Sequence, residues 1–406
     1  MESTSARHTL NNRLGGWNPV PDGLKKVIPA KNRRIIPSLT GLRGVAAWLV
    51  VIAHTDGHFA ALQPAWLEYG WRVCANLGMT TFFTLSGFVI HYNYGPSISA
   101  AGLPAVRSFL GARFARLYPL YLLAFLISAA ISPMQFHSGI FNQVWPRYLT
   151  LTQDWTPTIV NGALLTTLFI GGAWSISAEI ALYGFYLWSA RAMTALTTTR
   201  ACCAMATLTI AGLVFFGGYA GRFWLGDLDQ QGWWLSLSPW CRVPEFLLGA
   251  LCAQLYVQVH SVAITPSQTT FVRGIGAAGA IWIVCAFLLC YRYIYVQAAF
   301  NFAPGIAAVM FFLASCRSRA SALVENPVAL AIGEASYSVY MLHGFVLYLV
   351  MQGDYPSISL AIFRIAIAWA LISFLSLGVY RYFEAPARRF IKAYRLPAVL
   401  RTSLKL

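Results

Sequence analysis

Along this chain the apolar positions gather into runs long enough to cross, or nearly cross, the roughly 30 Å hydrocarbon core of a bilayer. The runs lie near 39–58, 75–94, 114–132, 173–191, 202–220, 240–258, 273–292, 297–315, 328–351 and 359–382. They predict an all-α polytopic bundle of about ten transmembrane helices. An eleventh run, Thr158 to Gly172, holds 15 residues and would rise only about 22 Å as a helix. It is read as a re-entrant or half-crossing element buried in protein.

Basic residues set the direction of the path. Of 29 Lys and Arg, ten spans put 22 on the side shared by both termini. Five (Arg72, Arg147, Arg222, Arg242 and Arg292) fall on the opposite side, and Arg43 and Arg364 lie inside spans. The asymmetry predicts a cell-membrane (inner-membrane) protein with cytoplasmic N- and C-termini. A full span at 158–172 would reverse every later helix and export the basic C-terminal end. Residues 1–35 read as a cytoplasmic polar and basic arm, 36–391 as one membrane domain and 392–406 as a basic cytoplasmic tail. The arm has no apolar stretch or small-residue cleavage site before residue 35, so no signal peptide is expected. Trp224, Trp233, Trp234 and Trp240 read as an interfacial aromatic belt on the outer side.

Composition agrees with lipid as the main solvent: 58% of residues are hydrophobic and 10% charged, with a mean hydropathy of +0.60, against about 25% charged in soluble domains. A net charge of +16 raises the question of nucleic acid. The basic residues sit at the ends of apolar runs, which is topology rather than a nucleic-acid footprint. Eight cysteines are scattered without metal spacing or a disulfide framework and read as packing residues.

Few polar groups break the runs. Arg43 and His54 are 11 residues apart in TGLRGVAAWLVVIAH, about three helical turns, so they share a face with about 16 Å between their depths. Intramembrane ionisable groups point to function, although Arg43 could snorkel to the interface and His54 could make a plain hydrogen bond. His54 and His58, spaced i, i+4 with Asp56 nearby, lack a second ligand cluster, so no metal is expected. Arg113 and Arg116 share one helix face at i, i+3, a geometry that holds phosphate oxygens or simply flanks a span. Glu179, beside Trp174, Ser175 and Ser177, is expected to pair with a cation such as His54 or Arg43, or to stay protonated. His343 reaches a similar depth, which predicts a His54–Glu179–His343 layer; a buried hydrogen-bonding role is the alternative for His343. Glu384, Arg388 and Arg389 return to the cytoplasmic layer as phosphate binders or helix anchors. No GxSxG elbow, P-loop or GxGxxG fingerprint appears.

The segments SLTGLRGVAAWLVVIAH, FFTLSGFVI, RFARLYPLYLL, WSISAEIALY, RVPEFLLGALCA, SYSVYMLH and YRYFEAPARR, in this order, resemble the acyltransferase-3 family of membrane O-acyltransferases, which includes bacterial surface-polysaccharide and lipopolysaccharide O-acetyltransferases. The resemblance implies an acyl-CoA donor used as substrate, with no permanently bound cofactor. It also implies a hydroxyl acceptor on a glycan or lipid-linked sugar. Arg43 and His54 match the family's arginine–histidine motif, and Arg113 and Arg116 its cytoplasmic arginine pair. WSISAE departs from the commoner WSLSVE conservatively and keeps Glu179. Some relatives append a soluble esterase-like domain. Here the chain runs about 24 residues past the last span, so the membrane domain is expected to act alone or with another chain.

On this reading Arg113 and Arg116, joined by Arg388, hold the CoA phosphates. His54 acts as general base, and Glu179 or Arg43 orients it or stabilises developing charge. Ser86, Trp174, Tyr337, His343 and Glu384, carried by the same segments, are further pocket candidates. The rivals are the same chemistry on a small molecule such as a macrolide or on a lipid, a transporter or flippase, and a membrane scaffold. A transporter would favour two-fold hydropathy symmetry, which is absent, and a scaffold has no use for mid-membrane His54, Glu179 and His343.

Overall fold

The computed structural model describes residues 35–55, 65–131, 140–160, 162–168, Ile170, 172–219, 233–260, 265–292, 299–353 and 357–394. The basic arm up to residue 34, Asp56, His58, Arg222, Trp224 and the tail from residue 395 lie outside them.

The described residues are helical nearly throughout. In order the helices are α1 Pro37–Thr55, α2 Ala65–Ala101, α3 Leu103–Ile131, α4 Ile140–Leu149, α5 Ala173–Thr194, α6 Thr198–Leu213, α7 Pro239–Val259, α8 Pro266–Arg292, α9 Ala303–Ser315, α10 Arg319–Val324, α11 Pro327–Glu334, α12 Ser336–Val350, α13 Ile358–Val379 and α14 Ala385–Tyr394. Their starts follow local capping chemistry. Thr197, Ser238, Asn326 and Ser357 each accept a backbone N–H from their own first turn, and Pro239 and Pro327 follow two of these caps.

Six helices among the described residues are long and apolar enough to cross a membrane: Pro37–Thr55, Val73–Ala101, Leu103–Ala130, Thr198–Phe216, Pro266–Leu289 and Ile358–Ala393. The 22 residues of α5 and 21 of α7 match expected runs but carry buried polar side chains, among them Ser177, Arg242 and Glu245. The run at 297–315 appears as a 3-10 turn, Ala299–Phe302, leading into the 13-residue α9. The run at 328–351 is split at Ala335 into α11 and α12. Tertiary contact explains the split: the Gly333 carbonyl near the end of α11 accepts from Arg43 Nε at 3.1 Å, a cation meeting a helix C-terminus.

The stretch 158–172 forms no membrane-length helix. Ile159–Val160 pairs antiparallel with Ala163–Leu164, Gly162 supplies the turn at φ +81°, and a 3-10 turn follows at Leu165–Thr167. Leu165, Thr166 and Ile170 are buried, whereas Ile159 is exposed.

Helix α7 packs on α2, α5, α6 and α9 and forms the middle of the bundle. Its seam with α2 is set by two glycines. A Cβ on Gly87 would overlap the Phe246 carbonyl, and one on Gly249 would overlap the Thr84 carbonyl. Side chains on either helix would push the backbones apart, so this close approach fixes where the inward residues of α2 and α7 stand.

Candidate active site

A cavity of about 380 Å³ runs between α1, α2, α3, α5 and α12, with Glu334, Tyr380 and Arg388 at one end. On α2 its lining extends from Met79 to Asn93, a rise of about 21 Å along the helix. The two ends differ in chemistry.

Four guanidinium groups line one end: Arg43, Arg113, Arg116 and Arg388. Arg113 and Arg116 reach it together because i, i+3 spacing puts them on one face of α3. Arg388 is brought in by α14, which follows a π-helical turn at Tyr380–Glu384. That turn also buries Glu384, whose Oε2 accepts from Ser338 Oγ at 2.7 Å. Tyr380 donates to Glu334 Oε2 at 3.2 Å. Arg113 lies over the Tyr94 ring at 5.5 Å, and among the described residues its buried Nε has no hydrogen-bond partner. A buried guanidinium N–H beside three other cations is a donor of the kind that a phosphate oxygen accepts from. Glu179 stands among these cations, accepting from Ser86 Oγ at 2.9 Å and Tyr183 OH at 2.5 Å.

The opposite end is aromatic. Phe82 and Tyr340 meet edge-to-face at 5.9 Å, beside Met79 and Phe83. Tyr340 is pinned: its hydroxyl donates to Gly172 O at 2.9 Å and accepts from Ser175 Oγ at 2.8 Å. One turn further along α12 is the buried His343, whose ring lies 5.6 Å from that of Tyr340 and 4.9 Å from that of His54. Both imidazoles are oriented by backbone. His54 Nδ1 is 2.8 Å from Val50 O, and His343 Nδ1 is 2.6 Å from Tyr340 O. A carbonyl can only accept, so Nδ1 carries the hydrogen in each ring, and in the neutral imidazole Nε2 is the acceptor.

The candidates therefore separate into compartments. Arg43, Ser86, Arg113, Arg116, Glu179, Tyr337 and Arg388 line the cavity. His54, which is exposed, and His343 form a pair just beyond its aromatic end. The expected His54–Glu179–His343 layer does not form. Glu179 sits one turn past Ser175 on α5, and that turn carries its carboxylate to Ser86 and the arginines instead of His54. Tyr337 donates to Leu117 O at 2.6 Å, tying α12 to α3. Trp174 and Glu384 are buried behind the lining.

Two buried acidic groups escaped the sequence reading. Arg242, counted as an outer-loop charge, is 1% exposed and pairs with Glu245 at 3.0 Å, with Thr80 also donating to Glu245. Its guanidinium lies over the rings of Phe83 at 5.2 Å and Trp174 at 5.4 Å. The i, i+3 spacing of RVPE was the available signal. Asp154 is fully buried between α4 and α5, where Oδ1 accepts from Thr166 at 2.7 Å and Trp233 Nε1 at 2.9 Å. Burial holds its carboxyl well above the usual range, outweighing those hydrogen bonds and the nearby Arg242. Nothing in its surroundings in sequence announces this. Among the described residues no three His, Cys, Asp or Glu side chains converge to hold a metal ion.

A family model described as an acyltransferase domain matches residues 36–380, which hold every lining element except α14. Acyltransferase MdmB of Streptomyces mycarofaciens is 27% identical over 344 residues, 77% of this chain and 79% of that protein. Protein 2 in the picA locus of Rhizobium radiobacter is 33% identical over 171 residues, 38% of this chain and 82% of that protein. No solved structure matches the chain significantly.

Proposed function

The chain belongs to the acyltransferase domain family, as a membrane enzyme that transfers acyl groups other than aminoacyl groups, and from that premise we propose its donor, acceptor and catalytic residues. The donor is acyl-CoA, most simply acetyl-CoA, and the acceptor is a hydroxyl of a surface or exported glycan sugar. The enzyme sits in the cell membrane with about ten spans, an irregular element at 158–172 and both termini in the cytoplasm. The membrane domain is 36–391, between a basic arm at 1–35 and a basic tail at 392–406.

One observation carries this reading: four arginines line one end of a cavity whose opposite end abuts, through Tyr340, the His343–His54 pair. Arg113, Arg116 and Arg388 bind the phosphates of CoA from the cytoplasmic side. Glu179 balances part of their charge and, through Ser86, locks α5 to α2, while Tyr183 of its own helix donates to the same oxygen. Arg43 commits Nε to Gly333 and adds its remaining donors to the phosphate end; it works at a distance from His54. His54 Nε2 takes the proton of the acceptor hydroxyl as its oxygen attacks the thioester carbonyl carbon. The carbon–sulfur bond breaks, and His54 returns the proton to the departing CoA sulfur.

Mass spectrometry of surface glycans and lipids from cells with and without the gene tests the acceptor. Loss of an acyl group from a glycan sugar is expected. Loss from a lipid or a small molecule instead would move the acceptor class. Purified protein that moves substrate without consuming acyl-CoA would replace the enzyme reading of the cavity with transport.

A further inference from the structure

Which acyl group the cavity admits rests on the proposed acyl-CoA donor and on the side chains at the cavity's far end. With the phosphates held among the arginines, the opposite end of the donor points along the cavity toward Phe82, Met79 and Tyr340. A volume of about 380 Å³ lies at the small end of ligand pockets. Most of it is already claimed by the pantetheine arm over the 21 Å between Asn93 and Met79.

Tyr340 cannot yield easily, because Gly172 and Ser175 hold its hydroxyl and His343 backs its ring. Phe82 differs. It is only partly buried, it carries no polar tether, and its ring touches the cavity face of Tyr340. Met79 lies one turn along α2 on the same side and is the flexible neighbour. His54 stands past this wall, so the thioester carbonyl must come up against Phe82 to react and its alkyl substituent must fit between Phe82 and Met79.

We infer that Phe82, supported by Met79, sets the acyl-chain length, admitting acetyl and rejecting longer chains. A hydrophobic pocket discriminates about tenfold or more per methylene, so two extra methylenes are enough to read the effect.

The test uses the full chain purified in detergent, with CoA, acetyl-CoA, butyryl-CoA and hexanoyl-CoA as probes of thermal stabilisation. Wild type is expected to bind CoA and acetyl-CoA alike and butyryl-CoA at least about tenfold more weakly. Phe82→Ala narrows that ratio to about threefold or less while CoA binding is retained. Phe82→Leu and Met79→Ala, which remove less volume, give intermediate ratios and carry the test if Phe82→Ala does not fold. Wild type binding hexanoyl-CoA as tightly as acetyl-CoA overturns the inference, as does an unchanged ratio in folded variants. Absence of any stabilisation by CoA itself sinks the donor reading together with it.

Discussion

Arg242→Met removes the cation that Glu245 meets in the interior of the bundle. Both side chains are 1% or less exposed, with Nη1 at 3.0 and 3.3 Å from the two carboxylate oxygens. After the substitution only Thr80 among the groups described here still donates to Glu245, at 3.3 Å. Breaking a buried pair from one side costs about 3–5 kcal/mol, because the remaining charge stays desolvated and uncompensated. Loss of the guanidinium from the faces of Phe83 and Trp174 adds roughly 0.5–1 kcal/mol for each ring. At 1.4 kcal/mol per decade, a 4 kcal/mol penalty shifts the folded-to-unfolded ratio about a thousandfold. Arg242→Met with Glu245→Leu removes both charges and should recover most of the loss, since apolar replacements of buried pairs are often neutral. The assay is thermal unfolding of the detergent-purified chain. The expected order is wild type and double variant together, each single variant well below. Arg242→Met unfolding at the wild-type temperature, or the double variant falling below both singles, would refute the reasoning.

Other expectations are simpler. Gly249→Ala forces a methyl into the Thr84 carbonyl and should cost about 1–3 kcal/mol or more, whereas Gly184→Ala, with open space around its Cβ, should be neutral or slightly stabilising in the same unfolding assay. Arg116→Gln should raise KM for acetyl-CoA about tenfold or more, as one charge-assisted phosphate contact is worth about 1.5–3 kcal/mol, with kcat changed less; unchanged KM would remove Arg116 from the donor site. Tyr340→Phe should lower thermal stability by about 1 kcal/mol through the lost Gly172 and Ser175 bonds and leave the ring contacts to Phe82 and His343 in place.

Helices facing lipid were the most legible part of this fold, because a helix surrounded by hydrocarbon, such as α8 after Arg273 or α13 after Arg364, is apolar on all sides and shows as an unbroken run. The same-side spacing of Arg43 and His54 was legible too, since it needs only helical periodicity. Their assignment to different compartments was not: it depends on Tyr340 and His343, nearly the whole membrane domain away in sequence. Glu179 illustrates the same limit, since a position along α5 gives depth but the partner depends on which helix stands opposite. The break at Ala335 has no proline or cap of its own and arises from Arg43 reaching Gly333. Arg242 misled because a charge at the end of an apolar run looks identical whether it flanks the membrane or turns inward to an acid.

The central claim is that His54, placed beyond the arginine cavity with Nδ1 held by Val50 O, is the base for transfer from acyl-CoA. The most direct test is acyl transfer from acetyl-CoA to the glycan acceptor by wild type and His54→Ala, compared at equal membrane abundance and equal CoA binding. The account predicts that wild type transfers the group while His54→Ala loses about a hundredfold or more of the rate. Transfer at the wild-type rate by His54→Ala would contradict it.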